Sequence, residues 1–193
     1  IQQCPELGHK LHTLMLVHPS FRLNGKAYER NALDLAAQQW AVSSDKDQQG
    51  VGHFLVDWLS DDEHIALHTS GSTGKPKEIQ MPKTAIYASA VRTAAFFNLS
   101  EGDSALLCLP IRYIAGKMML VRALVLGLHL DIIPPKTKLP IEKNYTFAAL
   151  IPLQANTSFD VLGRFKTVLI GGAPITTDLR KRISKKYKHC IET

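Results

Sequence analysis

The sequence predicts an α/β protein in which layered, largely parallel sheets are flanked by helices. From His64 onward, short apolar strand-like segments alternate with helix-like segments, and this alternation is typical of parallel strands connected by helices. The composition is that of a globular domain, since 45% of the 193 residues are hydrophobic and 21% are charged. The longest apolar run, residues 118–128, is interrupted by Arg122 and is shorter than the roughly 18 residues of a membrane helix. We therefore expect no membrane span.

The first part of the chain is predicted to hold one hairpin and two helices. Asn24 and Gly25 predict a hairpin over residues 20–28, because these two residue types readily adopt the positive φ angles of a tight turn. Apolar residues then recur at helical spacing. The elements expected after the hairpin are a helix over residues 28–41, a polar loop over 43–50 and a short helix over 51–59.

The rest of the chain is predicted to alternate between strands and helices. Strands are expected over residues 64–68, 105–109, 128–133, 147–151 and 167–170, with a last strand near Cys190. Helices are expected over residues 84–99, 117–126 and 177–186. Gly127 is placed to end the second of these helices in the left-handed conformation, and Thr177 is expected to cap the third.

The start of the chain indicates a boundary rather than a targeting signal. Ile1 is not an initiator methionine, and the first segment contains no apolar secretion core. We expect residues 1–19 to form a poorly ordered extension, and the protein to be cytoplasmic.

Cysteine and histidine do not predict a disulfide framework or a metal site. The three cysteines are far apart and form no Cys-x-x-Cys motif, so reduced thiols are expected. His64 and His68 are spaced like a metal-binding pair on a helix, but they fall in a predicted strand. Residues four apart in a strand lie about 13 Å from each other, too far to share one zinc ion.

The net charge of +6 makes nucleic acid a partner to consider. Much of the excess lies in residues 180–188, near the predicted end of a helix, where cations suit the helix dipole. A solvated basic face accounts for this run, because no nucleic-acid-binding motif or interleaved aromatic pattern accompanies it. A basic surface also suits anionic small substrates such as ATP and CoA. We expect small-molecule substrates, no nucleic acid and no membrane, and a homo-oligomer is compatible with the sequence.

Residues 68–77 (HTSGSTGKPK) predict a phosphate-binding loop. Two glycines let the backbone turn sharply and aim N–H groups at one point, while hydroxyls and lysines add donors and charge. The loop is not a Walker A motif, because Thr69 and Pro76 stand where that motif requires Gly and Ser or Thr. A flexible linker would not explain these residue types directly after a buried strand. The expected phosphate-binding residues are Thr69, Ser70, Gly71, Ser72, Thr73, Gly74, Lys75 and Lys77.

This loop closely resembles the signature Thr-Ser-Gly-(Ser/Thr)-Thr-Gly-x-Pro-Lys of the AMP-forming adenylating enzymes, and residues 69–77 match it throughout. Residues 168–174 (VLIGGAP) resemble the strand and Gly-Gly-Ala turn that border the adenine pocket in that superfamily. Residues 109–117 (LPIRYIAGK) resemble most the o-succinylbenzoate–CoA ligases of menaquinone synthesis, although many of those carry His where this chain has Tyr113. The adenine or acyl pocket is therefore expected to include Gly171, Gly172, Ala173 and Pro174.

The resemblance implies the fold, the cofactors and the reaction. Residues 20–193 would be part of the large N-terminal domain of an adenylating enzyme that uses ATP, Mg²⁺ and CoA to make an acyl-adenylate and then a thioester. The family's next motif, Tyr-Gly-x-Thr-Glu, would begin directly after Thr193. No complete catalytic set is therefore expected within these residues, and we expect them to be inactive alone.

The predicted helix over residues 117–126 gives an independent indication of the acid substrate. It is apolar except for Lys117 and Arg122, and a buried guanidinium needs an anion nearby. o-Succinylbenzoate has two carboxylates, one to be activated and one for a cation to recognise. Tyr113, Lys117 and Arg122 are thus the predicted acid-binding residues. A structural ion pair, or a side chain that reaches solvent, would explain Arg122 equally well.

Other functions remain open at this point. The chain is also compatible with a ligase of the same superfamily for another aryl or fatty acid, and with a non-catalytic nucleotide-binding module of this fold. A hydride-transfer dehydrogenase is disfavoured, because no Gly-x-Gly-x-x-Gly motif opens a helix.

Overall fold

The computed structural model describes residues 17–69 and 77–193. These residues form a seven-stranded sheet, a separate two-stranded hairpin and flanking helices. The strands are β1 (Arg22–Leu23), β2 (Lys26–Ala27), β3 (His64–Thr69), β4 (Lys77–Pro82), β5 (Ser104–Leu107), β6 (His129–Ile132), β7 (Tyr145–Leu150), β8 (Phe165–Ile170) and β9 (Cys190–Glu192). The helices are α1 (Arg30–Ala41), α2 (Lys46–Leu59), α3 (Lys83–Phe97), α4 (Ile114–Leu126), α5 (Pro152–Thr157) and α6 (Thr177–Lys186), with a 3-10 helix over Phe159–Arg164.

The large sheet confirms the predicted α/β class. Its strand order is β2-β1-β6-β5-β7-β8-β9, and every neighbouring pair is parallel except β1 with β2. The antiparallel pair is the predicted hairpin, in which Asn24 and Gly25 have φ angles of 49° and 80°. Among the described residues, no helix is long and apolar enough to cross a membrane.

The predicted loop over residues 43–50 is wrong from Lys46 onward, because α2 begins there. The reason is a helix cap that the polar composition concealed. The Asp45 carboxylate accepts hydrogen bonds from the backbone N–H groups of Asp47 and Gln48, both at 2.9 Å, and so satisfies donors that a helix start otherwise leaves free.

The hairpin β3–β4 corrects the predicted path of the chain after residues 70–76. The sequence predicts a helix from residue 84 as the next element after the phosphate loop, whereas β4 intervenes and pairs antiparallel with β3, with Thr69 opposite Lys77. In β4, Ile79 and Met81 pack against the core and alternate with two polar residues. This period of two is the pattern of a half-buried strand.

The ends of α4 and α6 show how local chemistry sets helix boundaries. Gly127 ends α4 in the left-handed conformation, with φ of 71°, as predicted. The cap of α6 is Thr176 rather than Thr177: the Thr176 hydroxyl accepts a hydrogen bond from the Leu179 N–H at 3.3 Å. The short helix α5 and the 3-10 helix were not predicted.

The core has two layers, one on each face of the large sheet. In β5, Leu107 packs into one layer and Leu106 into the other. In β7, Phe147 and Ala148 divide in the same way, as alternate residues of a strand must. The helices α1 to α4 cover the first layer, whereas α5, the 3-10 helix and α6 cover the second. The sheet therefore presents the carboxyl ends of its parallel strands between two packed layers.

Candidate active site

A pocket of about 250 Å³ opens where three parallel strands end. Ligands of open α/β sheets bind outside the carboxyl ends of the strands, so its position is that of a binding site. One wall is the α4 helix, and the other walls are the last residues of β7 and β8 together with residues that follow β5, β7, β8 and β9. Its lining residues are Leu109, Ile114, Ala115, Met118, Arg122, Ala149, Leu150, Ile151, Leu169, Gly171, Gly172 and Thr193.

The turn after β8 contributes bare backbone to this pocket. The Gly171 N–H donates a hydrogen bond to the Leu150 carbonyl oxygen at 3.1 Å, which joins the ends of β8 and β7. A Cβ atom at Gly171 would lie 2.4 Å from the Thr193 hydroxyl oxygen, and Gly172 has a left-handed φ of 83°. The left-handed φ of Gly172 favours glycine at that position, whereas a Cβ atom at Gly171 would have to displace the Thr193 side chain. Of the four predicted residues of this turn, Gly171 and Gly172 line the pocket, whereas Ala173 and Pro174 follow on the exposed surface.

Arg122 supplies the only charged side chain among the residues that line this pocket. Its Nε–H donates a hydrogen bond to the Thr93 hydroxyl oxygen at 3.3 Å, and its Cζ atom lies 6.0 Å from the centroid of the Phe147 ring. No carboxylate in the described ranges forms an ion pair with it. Burial lowers the pKa of this guanidinium to about 10. The group stays charged at neutral pH and lacks a counter-ion in the described parts of the chain.

Lys117 and Tyr113 do not line the pocket that contains Arg122. Both line a second, larger cleft of about 890 Å³ between α2 and the start of α4. The Lys117 ammonium donates a hydrogen bond to the Ala66 carbonyl oxygen at 3.1 Å and lies 5.4 Å from the centroid of the Phe54 ring. Burial lowers its pKa, although the carboxylate of Asp57 and that of a glutamate on β4 act in the opposite direction. The three predicted acid-binding residues therefore do not share one pocket.

The predicted phosphate loop falls largely outside the described residues. Ser70, Gly71, Ser72, Thr73, Gly74 and Lys75 belong to the undescribed segment. Thr69 and Lys77 are the last residue of β3 and the first of β4, paired across the hairpin. Lys117 joins this hairpin to α4, the helix that also carries Arg122. Across residues 17–69 and 77–193, no group of three or more His, Cys, Asp or Glu residues lies together to hold a metal ion.

Thr93 belongs to this site, although the sequence does not predict it as a site residue. It lies on α3, outside the pocket lining, and reaches the pocket only through its contact with Arg122. A hydroxyl on a predicted helix is too common to be singled out. Only the packing of α3 against α4 reveals the contact.

Comparison with known proteins shows the family to which the chain belongs. A family model described as "AMP-binding enzyme" matches residues 25–193. The 2-succinylbenzoate–CoA ligase of Bacillus licheniformis is 27% identical over 142 residues, which are 69% of this chain and 30% of that protein. This chain spans less than a third of the length of the first curated relatives that it matches.

Two solved structures share the fold. An acyl-CoA synthetase (AMP-forming)/AMP-acid ligase II-like protein from Dyadobacter fermentans is 30% identical, with a TM-score of 0.71 over 83% of this chain and 48% of that chain. Wild-type MenE from E. coli, with a bound analogue of OSB-AMS, is 27% identical, with a TM-score of 0.51 over 66% of this chain and 29% of that chain. With a family model that matches most of its length, the chain belongs to the AMP-binding enzymes.

Proposed function

We propose that this chain provides the ATP- and acid-binding part of an AMP-forming acid–CoA ligase, and that its acid is o-succinylbenzoate. In the first step a substrate carboxylate oxygen attacks the α-phosphorus of ATP, and the bond to pyrophosphate breaks. In the second step the CoA sulfur attacks the acyl carbon of the adenylate, the thiol proton is lost and AMP leaves. The names of the curated relatives, which are 2-succinylbenzoate–CoA ligases, support this assignment.

The observation that carries the proposal is the unpaired charge of Arg122 in the pocket. Arg122 is partly buried, and a cation that has lost part of its water without gaining a counter-ion is costly. A carboxylate in the pocket would remove that cost. A guanidinium can donate two parallel N–H···O bonds to one carboxylate. The surrounding walls, including Leu109, Met118 and Ile151, are apolar and suit the ring of an aryl acid.

Catalysis would then depend on positioning rather than on a protein nucleophile. The bare backbone at Gly171 and Gly172 would let a flat group lie against β8, next to the acid held by Arg122. Residues 69–77 would hold the β- and γ-phosphates of ATP through hydroxyl, N–H and lysine donors. The described residues contain no group of three or more His, Cys, Asp or Glu side chains that could hold Mg²⁺.

Replacing Arg122 tests the proposal in the enzyme that contains this chain. Arg122→Leu is expected to raise the KM for o-succinylbenzoate by roughly 10- to 150-fold, the range for a charge-assisted hydrogen-bonded pair. The KM for ATP should change by less than about 2-fold, because the proposal assigns the guanidinium to the acid and not to the nucleotide. Acid-dependent pyrophosphate release measures both parameters.

The matched control is Arg92→Leu, which removes the same charge from an exposed position on α3. It should leave both KM values unchanged. If Arg122→Leu raised the two KM values together, Arg122 would be a structural residue and the proposal for a diacid would be wrong.

A ligase for another aryl or fatty acid is the second candidate, and the apolar walls of the pocket favour it. The two candidates are distinguished by comparing kcat/KM for o-succinylbenzoate with kcat/KM for benzoylpropionate, an analogue that lacks the ring carboxylate. If the enzyme used the two acids with equal kcat/KM, the second candidate would replace the first.

A further inference from the structure

The Thr93 hydroxyl is held in one orientation by the helix that carries it. Its O–H donates to the Ser89 carbonyl oxygen one turn earlier in α3, at 2.9 Å. A hydroxyl has one hydrogen and two lone pairs, so with the hydrogen committed to Ser89 only lone pairs face α4. One of them accepts the Nε–H of Arg122 at 3.3 Å.

This contact restrains the guanidinium that lines the pocket. Nε is bound to Thr93, Nη1 lies 3.7 Å from the Met119 sulfur, which is a weak acceptor, and the ring of Phe147 lies beside the group. Nη2 makes no hydrogen bond to another described residue. The nitrogen nearest the backbone is therefore fixed, whereas the terminal nitrogens retain N–H donors for a bound anion.

Such a restraint has a predictable effect on binding. A free arginine side chain loses rotamer entropy when it is fixed by a ligand, and a side chain fixed in advance avoids most of that loss. We propose that Thr93 is a positioning residue that aims Arg122 at the spare carboxylate, and so sets the preference of the site for dicarboxylic over monocarboxylic acids. This inference rests on the proposed function of Arg122.

A purely structural role for Thr93 makes a different prediction. A threonine that bonds the carbonyl one turn earlier is common inside helices, and its loss would then change stability without changing the choice of acid. The preference between two acids therefore distinguishes the two roles, whereas activity with one acid does not.

The test compares Thr93→Val, which keeps the shape and removes the acceptor, with Thr93→Ser, which keeps the acceptor. KM values are measured for o-succinylbenzoate, benzoylpropionate and ATP in the enzyme that contains this chain. Thr93→Val is expected to raise the KM for o-succinylbenzoate by roughly 3- to 12-fold, the range that one hydrogen bond supplies. The KM values for benzoylpropionate and ATP should stay within about 2-fold of the wild-type values. Thr93→Ser should keep the wild-type preference for the diacid. If Thr93→Val does not fold, Thr93→Ala is read in the same way.

The double variant Thr93→Val/Arg122→Leu distinguishes a failure of the positioning role from a failure of the proposed function. Thr93→Val should have no further effect on the acid preference once Arg122 is leucine, because it acts through that residue. If Arg122→Leu lowers the diacid preference but Thr93→Val does not, the positioning role is wrong and the proposed function stands. If neither change alters the preference, the proposed function is wrong as well. Equal rises in all three KM values would overturn the positioning role.

Discussion

Lys117 and Arg122 are both cations of α4 whose burial lowers their pKa, yet they face different pockets. Five residues on a helix correspond to a rotation of about 140° beyond one full turn, so the two side chains must point to different sides. Tyr113, the residue before α4, and Lys117 in its first turn share the larger cleft. Helical spacing alone therefore separates Arg122 from the other two predicted acid-binding residues.

Cys108 gives a test of burial at the scale of one residue. Its side chain is fully buried, its S–H points to the Ala149 carbonyl oxygen at 3.8 Å, and burial raises its pKa from 9.0 to about 12. Between these two pH values the unfolded chain loses this proton and the folded protein keeps it. The thiol's contribution to stability is thus complete below pH 9 and is lost as the pH rises toward 12, by about 1.4 kcal/mol per pH unit.

Urea unfolding measures this contribution when the wild type and Cys108→Ala are compared at about pH 8, 9, 10 and 11, which spans most of the range between the two pKa values. The difference in free energy of unfolding between the two proteins should be constant below pH 9 and should then move in favour of the variant. Cys190 is present in both proteins and cancels. A difference that stays constant to the highest pH would show that the Cys108 thiol ionises in the folded state.

At the scale of elements, the contact between α1 and α2 depends on one glycine. A Cβ atom at Gly52 would lie 2.3 Å from the Ala41 backbone nitrogen and 2.5 Å from the Trp40 carbonyl carbon. Gly52→Ala is therefore expected to lower the free energy of unfolding by roughly 1–3 kcal/mol, the usual cost of overpacking, because the backbone cannot give way. Thermal and urea unfolding measure the change.

Gly50→Ala is the matched control on the same helix. The added Cβ atom would meet one side-chain atom, the Cγ2 methyl of Ile111 at 2.6 Å, and no backbone atom. A side chain can shift where packed backbone cannot, and the gain in helix propensity of about 1 kcal/mol should offset part of the cost, so Gly50→Ala should lower the free energy of unfolding by less than Gly52→Ala does. Equal losses in the two variants would show that the helices do not touch at Gly52.

The elements that could be predicted were those with a local chemical signal. Asn24 and Gly25 fix the hairpin, Gly127 ends α4, and apolar runs indicate the strands of the large sheet. β4 was missed because its polar residues continue the composition of the preceding loop, and the start of α2 was missed because Asp45 caps a polar first turn. In the site, Gly171 and Gly172 follow a strand that the apolar pattern indicates, whereas the position of Arg122 beside them and its contact with Thr93 depend on how helices pack.

At the scale of the whole molecule, the two core layers are joined through shared strands. β5 and β7 give alternate residues to the two layers, and in β8 Val168 belongs to one layer while Leu169 packs against the other. If either layer lost its packing, the strands that the two layers share would be exposed to solvent on one face. We therefore expect the described residues to unfold in one cooperative transition.

A substitution in one layer, observed from the other, tests this expectation. Leu179 of α6 is 2% exposed in one layer, and Trp58 of α2 is fully buried in the other. Leu179→Ala should lower the free energy of unfolding by about 2–5 kcal/mol and should shift the urea midpoint of Trp58 fluorescence as much as that of far-UV circular dichroism. A Trp40→Phe background leaves Trp58 as the only tryptophan, and Lys181→Ala, exposed on α6, should shift neither midpoint. If Leu179→Ala moved the circular dichroism transition and left the Trp58 transition in place, the two layers would be independent folding units, and the pocket between them would join parts of unequal stability.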